Sequence, residues 1–87
     1  LRPPHEEQRV QGLMTVAVSG NRLEAVLKAL RREPAVTALH TTNGRWDLVA
    51  ELVADNLQAF DAVLTRIRQL DGIASTETSL LLSTHKT

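Results

Sequence analysis

One dipeptide near the middle of the chain, Asn43-Gly44, most narrows what the chain can fold into. Asn-Gly is a strong signal for a two-residue hairpin, because both central positions of a type I′ turn need φ > 0. Ala35-Val36-Thr37-Ala38-Leu39-His40 precedes it, and Leu48-Val49-Ala50-Glu51-Leu52-Val53 follows it. Both flanks read as strands. Trp46, the only Trp of the chain, and Asp47 stand at the base of the turn. A hairpin at the midpoint leaves two halves to be arranged around it.

The halves read alike. In the first, Leu13 to Ser19 is a strand with Met14, Val16 and Val18 on one face and Leu13, Thr15, Ala17 and Ser19 on the other. Gly20 ends it. Asn21 then reads as an N-cap, with Glu24 completing a capping-box pattern. Leu23, Val26, Leu27 and Leu30 follow at helical spacing. Pro34 stops this helix, and a strand runs from Val36 to Thr42. In the second half, Leu48, Ala50 and Leu52 form one strand face, and Val49, Glu51 and Val53 form the reverse. Asp55 reads as the next cap, with Gln58 three residues on. Phe60, Val63, Leu64, Ile67 and Leu70 mark a buried helical stripe. Gly72 suits the left-handed C′ position of this helix. A last strand runs from Ser75 to Ser83.

The order β-α-β-β-α-β gives an α+β fold, the ferredoxin-like plait. Right-handed crossovers put both helices on one face of a four-stranded antiparallel sheet. The reverse face carries Ala17, Val49, Val53 and Leu81 or their register partners, too apolar to be fully wet. A second chain packing sheet on sheet, as in a dimeric α+β barrel, is the expected cover.

Size points the same way. A chain of 87 residues is one domain. Residues 1–11, with Pro3-Pro4, read as a linker or tail, 12–84 as the folded domain, and 85–87 as a frayed tail. Val10 is a possible start of strand pairing. Domains this small bury only roughly 60% of their unfolded surface. The chain has no cysteine, which removes disulfides and thiolate metal sites. Self-association remains as a way to bury more. Ten basic and ten acidic residues balance to zero, which argues against a nucleic-acid surface. Arg31-Arg32 and Arg66/Arg68 read as solvated helix faces. No apolar run approaches a membrane span and no signal-peptide pattern appears, so a cytoplasmic location is expected. The chain opens on Leu1 rather than Met, which reads as a fragment of something longer.

Catalytic chemistry is poorly supported. There is no Ser-His-Asp set, no metal-ligand spacing and no glycine-rich phosphate loop. His5, His40 and His85 are far apart. His40 reads as a strand residue satisfied by its neighbours. Asp47 can accept hydrogen bonds from turn amides or bind a ligand, and these readings stand level. Trp46 reads as packing or a subunit contact, and Arg45 as a solvated turn residue. Thr76 and Thr78 share a strand face with Leu80 and Leu82, as strand formers or as hydroxyls for a small polar ligand.

Gly44-Arg45-Trp46-Asp47 matches the G-x-x-D turn of the Lrp/AsnC family of amino-acid-responsive transcription regulators. Leu70-Asp71-Gly72-Ile73-Ala74-Ser75-Thr76-Glu77-Thr78 resembles that family's L-P-G-V-x-x-T-x-T ending, with Asp71 in place of Pro and Ile73 in place of Val. The resemblance covers roughly residues 12–84. It implies the C-terminal effector-binding and oligomerisation (RAM) domain. It also implies homo-oligomers, a dimer or an octamer, with small effectors, usually amino acids, bound between subunits. Thr42, Asn43, Gly44, Asp47, Thr76 and Thr78 are the expected effector-binding residues. No cofactor and no metal are expected. DNA would be bound only through a helix-turn-helix that this chain lacks. The alternative is a small dimeric α+β barrel enzyme such as a monooxygenase, for which His40, Asn43 and Trp46 supply residue types but crowd around one hairpin.

Overall fold

A computed structural model describes residues 9–83, 85 and 86. Residues 1–8 and 87 of the expected tails, and residue 84 at the end of the expected domain, lie outside them. The elements run β1 (Val10–Val18), α1 (Leu23–Arg31), β2 (Val36–Thr41), β3 (Leu48–Ala54), α2 (Leu57–Arg68) and β4 (Ile73–Leu80). They form one four-stranded antiparallel sheet in the order β2-β3-β1-β4, the ferredoxin-like plait. No helix among the described residues is long and apolar enough to cross a membrane.

Period-two alternation decides which face is covered. Met14 and Val16 of β1, and Leu48, Ala50 and Leu52 of β3, are almost fully buried. They meet Val26, Leu27 and Leu30 of α1 and Phe60, Val63, Leu64 and Ile67 of α2. Each large aliphatic side chain so buried contributes roughly 1.5–3 kcal/mol. Register assigns the other face. Leu13 pairs with Glu51 and Ser79, Thr15 with Val49 and Glu77, and Ala17 with Ser75, while Val49 also pairs with His40. No helix among the described residues covers this side. Leu13, Ala17, Val49 and Val53 stand on it half-buried or exposed.

Element ends differ from the sequence reading in physical detail. β1 takes in Val10 and Gln11, which pair with Ala54 and Val53. β4 runs Ile73–Leu80 rather than from Ser75 to Ser83. Leu81 adds one amide bond to the Gln11 carbonyl (2.8 Å), and Leu82 is 90% exposed. Arg22, not Asn21, stands at the N-cap of α1, without a side-chain cap bond. Asn56, not Asp55, caps α2, accepting from the Ala59 amide at 2.8 Å. Leu23 is 37% exposed at the end of its stripe. Gly72 has φ +100°, the left-handed conformation expected of it, but lies beyond the α2 C-cap at Gln69.

Arg66 is not simply solvated. Its Nη2 and Nε donate to Glu33 Oε1 and Oε2 at 2.7 and 3.3 Å, tying α2 to the segment after α1. The Glu33 side chain is only 14% exposed. The Arg66 hydrogen bonds chiefly hold its carboxyl below the ordinary range, against the opposing effect of burial. A carboxyl lowered in the folded state stabilises above its unfolded pKa, about 4.3, and that stabilisation fades as pH falls through the lower folded value. Glu33→Gln should therefore be less stable than the parent at pH 7, and the gap should close in acid below about pH 4. Urea denaturation of both proteins across that range checks this. At Gly72 an added Cβ would lie 2.7 Å from Arg22 Cβ, on a backbone angle that L side chains resist. Gly72→Ala should lose about 1–3 kcal/mol, measured by the same denaturation at neutral pH.

Candidate functional site

The six residues Thr42 to Asp47 join β2 to β3. They do not form the expected two-residue type I′ turn. Among the described residues only Gly20 and Gly72 have positive φ, so neither Asn43 nor Gly44 takes the left-handed conformation that turn demands. A wider loop replaces it, organised by a side chain. The Thr42 hydroxyl donates to the Trp46 carbonyl and accepts from the Gly44 amide at 3.4 Å. At the base, the Thr42 amide donates to the Asp47 carbonyl at 3.0 Å, and the Asp47 amide donates to Val16 at 2.9 Å.

Loop chemistry follows from what these bonds leave free. The amides of Asn43, Arg45 and Trp46 have no partner among the described residues. They are exposed or half-exposed donors beside Gly44. A Cβ built on Gly44 would meet nothing within 4 Å. Neither backbone angle nor packing within the chain requires glycine there. Arg45 lies over the Trp46 ring, 5.4 Å from its centroid. Trp46 is half-buried and lies outside the buried core.

Asp47 accepts a hydrogen bond, but not from the turn. Its Oδ2 takes the Val18 amide of β1 at 2.8 Å. Val16 and Val18 point their backbone groups the same way, toward β3. The carboxylate therefore stands where the next ladder carbonyl would be, at the point where β3 gives way to the loop. The adjoining residue Ser19 bonds to Gly72 through its amide (2.8 Å) and hydroxyl (3.2 Å). Sequence reasoning missed Val18 because an amide 29 residues away carries no local signal.

Thr76 and Thr78 sit elsewhere in the sheet. They pair with Val16 and Met14, which puts them on the helix-covered face. β1 separates them from β3 and the loop. The Thr78 hydroxyl is buried without a hydrogen-bond partner among the described residues. Thr78 borders a groove of about 290 Å³ between α2 and β4, with Leu57, Phe60, Asp61, Leu64, Arg68 and Leu80. None of residues 42–47 lines that groove. The loop residues are thus brought together, and the two threonines are brought together, but one chain does not close the two sets into one cavity. His40 Nε2 lies 2.9 Å from Glu51 Oε2, the neighbour-satisfied arrangement expected for it. No cluster of three or more His, Cys, Asp or Glu suited to a metal occurs among the described residues.

The Lrp/AsnC ligand binding domain model matches residues 11–87. The chain belongs to this family. Among curated relatives, this Lrp/AsnC domain is 27% identical over 71 residues to the HTH-type transcriptional regulator FL11 of Pyrococcus horikoshii. That match covers 82% of the chain and 47% of the regulator, so the chain spans about half the length of this relative. Among solved structures, E. coli AsnC superimposes with a TM-score of 0.88 at 21% identity, covering 100% of this chain and 60% of that one. A transcriptional regulator from Neisseria meningitidis, solved as a complex with L-Met, superimposes with a TM-score of 0.81 at 20% identity. It covers 100% of this chain and 59% of that one. Both likenesses fall on the same Lrp/AsnC fold.

Proposed function

We propose that this Lrp/AsnC domain senses a small molecule, an α-amino acid, and couples its binding to self-assembly within a transcription regulator. DNA contact belongs to a helix-turn-helix outside this chain. The proposed effector site comprises Thr42, Asn43, Gly44 and Asp47 from one copy, with Thr76 and Thr78 supplied by another. Trp46 is assigned to packing or to the contact between copies.

The observation that carries the reading is Gly44. A glycine that neither φ nor internal packing demands leaves a bare stretch of backbone, which another molecule can approach closely. Beside it stand the free amides of Asn43, Arg45 and Trp46, suited to a carboxylate. Carbonyls and hydroxyls supply acceptors for an ammonium. The separation of the loop from Thr76 and Thr78 by β1 favours a site completed across copies. Such a site links ligand to assembly, because a ligand shifts an equilibrium only through differential affinity for its two states. The L-Met complex of the Neisseria meningitidis relative supports an amino acid as the ligand class. Binding alone suffices for this role, with no covalent or proton-transfer step.

Assembly is proposed to begin at the uncovered sheet face, where two copies pack Leu13, Ala17, Val49 and Val53 against each other as a dimer. Further association of dimers, up to an octamer, brings the two halves of the site together. Val49→Glu should shift the protein toward monomer in sedimentation velocity while keeping its circular dichroism.

An amino-acid screen by thermal shift and sedimentation tests the sensor role. At least one amino acid should raise the melting temperature or change the size distribution. A ligand at a hundredfold its Kd adds about 2.7 kcal/mol. Gly44→Ala should unfold at or slightly above the parent's midpoint, since its backbone angle suits alanine, yet lose the response. A folded parent that responds to no amino acid overturns the sensor role and leaves the assembly role standing.

A further inference from the structure

We infer that Asp47 is a positioning residue: its carboxylate serves the effector loop by holding the Val18 amide at the end of the β1–β3 ladder. This rests on the loop being the effector site. It assigns to Asp47 a role distinct from meeting the ligand's ammonium by charge.

The geometry carries the inference. Three polar groups of Asp47 are committed inside the chain. Its amide donates to the Val16 carbonyl (2.9 Å), its carbonyl accepts from the Thr42 amide (3.0 Å), and its Oδ2 accepts from the Val18 amide (2.8 Å). One residue thereby ties the downstream end of the loop to β1 at two points and to the upstream end of the loop at a third. From Thr42 to Trp46 the remaining bonds are internal to the loop and run through the single Thr42 hydroxyl. Without the carboxylate, the ladder ends one bond earlier, and the downstream end of the loop keeps only its backbone bonds to Val16 and Thr42. No cation forms an ion pair with Asp47 among the described residues. Its identified partner is a neutral amide, and what that amide needs is an acceptor oxygen in one place, not a negative charge.

That distinction gives a clean test. Asn keeps a carbonyl oxygen where Oδ2 stands and loses the charge; Ala loses both. Asp47→Asn, Asp47→Ala and the parent are compared by amide hydrogen exchange at Val18 and across residues 42–47, measured by NMR without any ligand. Each is then titrated with the proteinogenic amino acids supplied singly, read by thermal shift. Positioning predicts that Asp47→Asn keeps exchange at Val18 within about threefold of the parent. Asp47→Ala should speed it by about tenfold or more, as loss of the hydrogen bond requires. The amino-acid response should follow the same order, retained in Asn and lost in Ala.

Three results overturn the inference. Loss of protection in Asp47→Asn as full as in Ala makes charge the holding force. Unchanged exchange at Val18 and in the loop in Asp47→Ala makes the bond idle. Protection kept but response lost in Asp47→Asn puts the charge on the ligand. If the parent itself responds to no amino acid, the effector reading fails, and the exchange measurements still decide what Asp47 does.

Discussion

Burial of one sheet face under two helices positions everything else in this domain. The strict alternation of Met14 and Val16 in β1, and of Leu48, Ala50 and Leu52 in β3, directs those side chains to one side. The two strands are neighbours at the centre of the sheet, so their buried rows merge into one floor. A one-residue slip between them would turn every one of these side chains outward. Register is therefore fixed by the core, and with it the place where the β1–β3 ladder stops. Asp47 and Val18 meet at that stop. The loop geometry is thus a downstream result of the hydrophobic burial of the adjoining strands.

The same burial creates the reverse face. A four-stranded sheet with both helices on one side leaves β1 and β3 bare on the other. Leu13, Ala17, Val49 and Val53 make that side partly apolar, with His40, Glu51 and Glu77 among them. A domain this small has no third layer to spare. On the proposed reading, assembly is the physical counterpart of a core with only one cover.

The elements were legible because their periodicities are strong and unmixed. The two β-α-β halves, the stop at Pro34 and the left-handed Gly72 all follow from local chemistry. Local chemistry also explains the errors. Asn21 beside Arg22, and Asp55 beside Asn56, offer adjacent polar residues, and a one-residue shift in the first helical turn selects between them. Asn43-Gly44 carries the composition of a type I′ turn, but the Thr42 hydroxyl and the Asp47 base organise a longer loop instead. The positions of Thr76 and Thr78 on one strand face were readable from alternation. That this face lies beneath α2, and across β1 from the loop, depends on strand order. The Asp47–Val18 bond depends on register between distant strands and left no trace in the sequence. Family resemblance drew attention to this loop; only the fold shows which of its groups are bonded and which are free.

One consequence concerns how freely such a loop can change. Its shape is held by Thr42 and Asp47, and no residue in it occupies a left-handed backbone angle. Asn43, Gly44 and Arg45 are therefore relieved of any conformational duty. Side chains at these positions can be exchanged without disturbing the sheet beneath. The residues that frame the loop and the residues free to vary in it are different ones, so its surface can be rewritten by a few substitutions at almost no cost in folding.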